Sequence, residues 1–221
     1  MYNKQVVFCQ NPDIIKPFTS NKGPCLFCLQ SCRTPGKKRK QRLQALRDYQ
    51  KLITDVDQLC YEIRQMYRKY IACKKGCPGN CCQRHITVFP IEAIVFARAL
   101  RHLSQDLVSH IQRKARKSTS FGPCPLLEDG ACLMYDSRAI ICRTHGYPIL
   151  SEYKGHRSVG FCHKNFKNLP SIAPDRIIQL APLNKRLIGL NRRFLYEFAG
   201  RLPGADRFTV GEALLMEVQF I

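Results

Sequence analysis

The sequence predicts a mainly α protein: a small, irregular helical domain organised around a cysteine-ligated metal centre, with a minor β-hairpin. Three observations lead there. A helical periodicity runs without Gly or Pro through most of residues 36–72. Thirteen cysteines are present, four of them packed into residues 73–82 as Cys73, Cys77, Cys81 and Cys82. The tight-turn pair Asp129-Gly130 marks one short hairpin.

Residues 1–35 contain four Pro and one Gly, show little periodicity and read as an irregular arm with its own cysteines. Residues 36–72 read as one long basic helix. Leu43, Leu46, Ile53, Val56, Leu59, Ile63, Met66 and Tyr70 form its apolar stripe, and Cys60 within it reads as a buried structural thiol. Residues 73–170 form the cysteine-cluster metal-binding domain. There Pro90 suits the first turn of a helix, Thr87 is the candidate cap, and an amphipathic run continues to Lys117. Asp129-Gly130 joins short strands at 126–128 and 131–133, and a following turn or short helix brings Cys142 back to them. Residues 171–221 are a helical C-terminal segment packing on that domain. Leu183, Leu187, Leu190, Phe194 and Phe198 share one face, and Thr209-Val-Gly-Glu212 is a capping box.

The net charge is +20, from 36 Lys and Arg against 16 Asp and Glu. Three groups carry much of the surplus: Lys37 to Arg47, Arg98 to Lys117, and Lys185 to Arg193. Such groups suit nucleic acid or another polyanion, or they are simply solvated helix faces. Four thiolates around a divalent zinc leave a net charge of about −2, so two such sites would offset only part of the surplus. Residues 1–12 show no secretory signal, and no apolar window is long enough to span a membrane. A cytoplasmic location is therefore expected, where clustered thiols point to metal rather than disulfides. The odd number of cysteines also forbids complete internal pairing.

Cys73, Cys77, Cys81, Cys82, Cys124, Cys132, Cys142 and Cys162 form the expected ligand set, enough for two four-thiolate sites. Adjacent Cys81 and Cys82 cannot both point easily at one small ion, because neighbouring side chains diverge by about 100° in a helical turn and face opposite ways in a strand. They suit two metals, or two corners of a larger cluster. Zinc commonly uses Cys-x2-Cys knuckles, and Cys25-x2-Cys28 alone has that form. Iron–sulfur clusters accept looser spacing and often have proline after a ligand, as at Cys77-Pro78 and Cys124-Pro125. The pattern favours an iron–sulfur cluster over zinc. Cys9, Cys25, Cys28 and Cys32 form a candidate second metal site.

The cluster ending in Cys81-Cys82, the phrase Cys124-Pro-Leu-Leu…Gly130-x-Cys132…Tyr135…Arg138…Cys142-Arg143, and the later Cys162 together resemble the YkgJ-like cysteine-cluster family, also called CxxCxxCC. The resemblance covers roughly residues 73–165. It implies a zinc- or iron-chelating domain. The kinship of that family with flagellin lysine N-methylase makes a cluster-dependent protein-modifying enzyme one alternative function; a basic polyanion-binding module stabilised by metal is another. This chain departs from the family pattern in spacing its first cysteines by three and three, in having Ala139 after Arg138, and in the inserted His145-Gly146. The N-terminal cysteines lie outside the resemblance.

Catalytic residues are not identifiable from the sequence. His145 reads as a ligand, an acid–base group or a turn-stabilising histidine. His85 and His163 are further ligand candidates. Arg143 would offset thiolate charge, grip an anionic substrate, or pair with Asp136 or Glu128. Dinucleotide and phosphate-loop fingerprints, a nucleophile elbow and a His-Glu-x-x-His zinc motif are all absent. So is the Cys-x3-Cys-x2-Cys spacing of radical S-adenosylmethionine enzymes, of which Cys25-x2-Cys28-x3-Cys32 is the reverse.

Overall fold

The computed structural model describes residues 36–72, 82–83, 86–119, 122–198 and 205–217, with side chains from Gln44 onward. The N-terminal arm with its four cysteines lies outside the described residues.

Helix α1 (Gly36–Met66) is 31 residues long, about 46 Å at 1.5 Å per residue. The absence of Gly and Pro beyond Gly36 lets it run that far. Its buried side steps by three and four through Leu46, Tyr49, Ile53, Val56, Cys60 and Ile63. The helix ends earlier than 72, giving way at Tyr67 to a 3-10 turn over Arg68–Tyr70. Tyr70 leaves the predicted stripe with that change of pitch and is 38% exposed; Met66, still in the α-helix, falls to one side of Ile63 and is 54% exposed. Tyr67 takes the buried position instead, stacked edge-on against Phe166.

The predicted amphipathic run is two helices, α2 (Pro90–Leu100) and α3 (Gln105–Lys117). Pro90 opens α2 as expected. Thr87 is not its cap: it belongs to strand β1 (Thr87–Val88), paired with Thr209 of β7 (Phe208–Thr209). The carboxylate of Glu92 takes the capping role, accepting from the backbone N–H of Phe89 at 3.0 Å. The run breaks because Ser104 is a better cap than an interior residue. Its hydroxyl accepts from Leu107 N and starts α3 afresh. Helix α2 is buried nearly all round, whereas α3 buries chiefly Ile111 and Ala115.

The predicted hairpin is present as β2 (Leu127–Glu128) and β3 (Ala131–Cys132). Asp129 and Gly130 both have positive φ, 47° and 77°, the backbone a two-residue type I′ turn demands. A 3-10 turn (Tyr135–Ser137) then leads into the short helix α4 (Ile140–Thr144). A second hairpin was not expected: β4 (Ile149–Tyr153) and β5 (His156–Gly160), joined through Lys154 and Gly155, both again at positive φ. Strand β6 (Ile178–Gln179) pairs parallel to β4 and makes a three-stranded sheet.

Helix α5 (Leu180–Glu197) follows directly and lays Leu187, Leu190, Phe194 and Phe198, which were expected to share one face, against α1. Along the solvent edge of that seam, Arg193 pairs with Asp48, Arg186 with Asp55, and Arg176 with Glu62. The acids recur every seven residues, so each faces the neighbouring segment from the same side of α1. Helix α6 (Val210–Leu215) has the expected capping box, with Thr209 Oγ accepting from Glu212 N and the Glu212 carboxylate accepting from Thr209 N. It packs on α2 and α3.

These contacts build two apolar clusters. One joins α1, α5 and the start of α4; the other joins α2, α3, α6 and the first hairpin. No helix among the described residues is long and apolar enough to cross a membrane.

Candidate metal centre

The first hairpin and α4 bring distant cysteines together. Cys132 stands opposite Leu127 in the hairpin. Cys124 is turned against the same strand, its carbonyl accepting from Leu127 N at 2.9 Å. The 3-10 turn after Met134 reverses the chain, so that α4 returns Cys142 to Cys124 and Cys132. Burial pushes the Cys142 thiol up to about 12, and the negative charge available on Cys124 and Cys132 pushes in the same direction. All three thiols border the second apolar cluster. Cys82 joins them from upstream: its carbonyl accepts from Cys124 N at 2.8 Å.

Cys162 is reached from the other end of α4. Its N–H points to Gly146 O at 3.4 Å, and its carbonyl accepts from Asn165 N at 2.8 Å. Buried Asn165 then ties three segments: its amide nitrogen donates to Gly146 O at 2.8 Å, and its amide oxygen accepts from Ala72 N at 3.0 Å. Both flanks of segment 73–81 are thus fixed to segments that carry downstream cysteines, Ala72 on the Gly146–Cys162 side and Cys82 on the Cys124 side. Cys73, Cys77, Cys81 and His85 themselves lie outside the described residues. Among the described residues, no group of three or more His, Cys, Asp or Glu is placed to hold a metal ion. The donors that do converge are thiols, which suit zinc and iron.

Helix α4 is only five residues long and is oriented by side chains on three other segments. Glu92 is 3% exposed. One of its oxygens accepts from Ile140 N at 3.0 Å and from Tyr49 OH at 3.3 Å, so a single carboxylate joins α1, α2 and the N-terminus of α4. Burial raises its carboxyl above the usual range against the pull of those bonds. Arg143 is buried too. Its guanidinium donates to the Asp57 carboxylate of α1 at 2.5 Å, to Arg138 O at 2.7 Å, and to Asp136 O. The predicted pairing with the Asp136 or Glu128 side chain is therefore corrected: Asp57 supplies the charge, and Asp136 only its carbonyl. Glu128 is held by Lys114 and His110 instead. Arg138 lies over the Tyr135 ring at 3.5 Å and donates to Tyr135 O and Cys142 O.

Cys60 behaves as expected of a structural thiol. It is buried, donates to Arg143 O at 3.7 Å, and is pushed up to about 12 mainly by burial. His145 and His163 are exposed. Sequence reasoning missed the roles of Glu92 and Asp57; Arg138 stood in the family phrase, but its bond to the Cys142 carbonyl was not foreseen, nor were the bonds by which Asn165 ties distant segments. A signal existed for Glu92, since it stands at the third position of a Pro-led helix, where a carboxylate caps.

The family comparison covers this region and its flanks. No curated protein and no solved structure matches the chain. Over residues 72–163, from the Ala72 held by Asn165 to the residue after Cys162, the chain matches the CxxCxxCC family, described as a "Putative zinc- or iron-chelating domain".

Proposed function

We propose that Cys73, Cys77, Cys81, Cys82, Cys124, Cys132, Cys142 and Cys162 chelate iron as an iron–sulfur cluster, with zinc the alternative occupant. The observation that carries this reading is the backbone bond from Cys124 N to Cys82 O. It ties Cys82, the last cysteine of the upstream run, to Cys124, and so supports grouping the two sets of cysteines. The prolines after Cys77 and Cys124, and the adjacency of Cys81 and Cys82 in the sequence, support a multinuclear group over a single ion.

In this reading the protein's own residues preorganise the donors. Glu92 and Arg143 fix α4 and hence the aim of Cys142. Asn165 fixes the segment bearing Cys162 against the start of the upstream run. Arg138, bonded to the carbonyl of Cys142, places positive charge beside thiolates whose summed charge is negative. A bound iron–sulfur cluster would supply one-electron chemistry, and zinc would supply cross-linking of the fold. Cys9, Cys25, Cys28 and Cys32 are proposed as a separate site.

Purification without oxygen, followed by metal and sulfide analysis and a visible spectrum, tests the assignment. Iron and sulfide with thiolate-to-iron absorption are expected. A colourless protein with stoichiometric zinc would overturn the iron–sulfur preference. A protein holding neither metal would overturn the chelation reading.

A further inference from the structure

The outer face of α5 is not explained by packing or by metal. This helix carries four cations between Lys185 and Arg193, and the fold divides them. Arg186 and Arg193 turn sideways to Asp55 and Asp48 of α1. Lys185 and Arg192 face outward, and among the described residues neither has an ion-pair or hydrogen-bond partner. At 100° per residue, Lys185, Gly189, Arg192 and Tyr196 fall on one stripe about 60° wide, opposite the buried Leu187, Leu190 and Phe194.

Two features of the stripe are costly unless used. Tyr196 is 87% exposed. Gly189 stands inside the helix, where glycine disfavours the helical state. No neighbour requires it, because a Cβ there would meet nothing within 4 Å. A bare backbone between two outward cations, with an open aromatic ring one turn on, suits a ligand that brings a charged backbone close and offers a flat ring to stack.

We propose that this stripe binds single-stranded nucleic acid. Lys185 and Arg192 contact phosphates, Gly189 admits the sugar–phosphate backbone close to the helix, and Tyr196 stacks on a base. Charge complementarity favours this occupant: the chain is +20 overall, and the stripe contains no acid. A lipid surface would need a broad apolar face, and only Ile188 lies beside the stripe with Tyr196 as a large exposed apolar residue of the helix.

The test uses the full metal-loaded chain and a fluorescein-labelled oligo(dT) 20-mer, with affinity measured against salt. Wild-type affinity should fall as salt rises. Lys185→Gln with Arg192→Gln should reduce the log–log slope by about 1.4. Tyr196→Ala should weaken binding roughly tenfold with the slope unchanged. Arg113→Gln with Arg116→Gln removes the same charge from α3 and should change affinity far less. Gly189→Ala separates binding from folding, since it should raise the melting temperature while lowering affinity. The proposal is overturned if wild type does not bind, or if the α3 double variant loses as much as the α5 one. It is equally overturned if Gly189→Ala and Tyr196→Ala bind normally, or if anionic vesicles compete fully with the oligonucleotide.

Discussion

Cys60 and Cys142 occupy two regions built on different logic. Both thiols are pushed up to about 12, and burial is the first cause for each. Cys60 lies in the α1–α5 cluster among apolar side chains and gives its hydrogen to a carbonyl. Cys142 lies at the edge of the α2–α3–α6 cluster, where the next influences upon it are two further thiols. A raised thiol therefore says only that a cysteine is buried. What separates a packing cysteine from a ligand is whether its neighbours are leucines or other cysteines. The α1–α5 seam holds itself together by apolar burial; the thiol-bearing segments are short, contribute Leu126, Met134, Ala139 and Ile140 to the core, and would be cross-linked further by a bound metal.

The sharpest way to break the comparison is to mutate each thiol. Cys142→Ser should lose more than half of the bound metal and most of the stabilisation that metal gives. Cys60→Ala should retain full metal and lose about 1 kcal/mol. Metal analysis with chemical denaturation of both variants reads this out. Equal metal content in the two would dissolve the distinction. Addition of a strong chelator should likewise lower the melting temperature of wild type far more than that of Cys142→Ser.

Arg143 joins the two regions, so its loss should be the next largest effect. Arg143→Ala removes the buried half of an ion pair whose partner, Asp57, is 47% exposed. It also strips donors from the Arg138 and Asp136 carbonyls. About 3 kcal/mol is expected, the low end for a broken buried pair because Asp57 regains water. Arg143→Lys keeps the charge but not the fork, and should fall between alanine and wild type. A lysine variant as stable as wild type would show that the guanidinium geometry is irrelevant to holding α4.

Glu92 is the second joint, and pH reports on it. Glu92→Gln turns one acceptor oxygen into a donor group facing backbone N–H groups, at a cost of about 1–3 kcal/mol. Burial raises the carboxyl above its usual 4.5, so the folded chain keeps this proton where the unfolded chain has released it. Folded protein then binds more protons than unfolded from pH 4.5 up through the raised value, and stability from this group falls as pH rises across that window. Wild type should lose stability there while Glu92→Gln stays flat. Parallel stability–pH curves for the two would sink the assignment.

The long elements were legible because their signals are local. The stripe of α1, the face of α5, the Asp129-Gly130 turn and the Thr209 capping box each rest on spacing within a few residues. The convergence of Cys142 on the first hairpin was also readable, since a short chain between turn signals has few places to go. What escaped was set by distant partners. Asp57 looks like an ordinary polar helix residue until Arg143 arrives from 86 positions away. Asn165 gains its meaning from Ala72 and Gly146, on two other segments. The second hairpin lacked a clear period because β5 is exposed throughout, so no buried face imposes alternation.

The smallest effect should come from the ion pairs along the α1–α5 seam. Arg186–Asp55 and Arg193–Asp48 look like fasteners at regular spacing, yet three of their four side chains are more than half exposed. Water screens such pairs, and each contributes about 0.2–1 kcal/mol. Arg186→Gln with Arg193→Gln should therefore cost no more than about 1 kcal/mol, and less still in 1 M salt, where screening acts within about 3 Å. Leu190→Ala, on the buried side of the same helix, should cost about 2–5 kcal/mol at any salt. If denaturation ranked the arginine pair above the leucine, the seam would be held by charge, and the contrast between an apolar region and a thiol-bearing one would have to be redrawn.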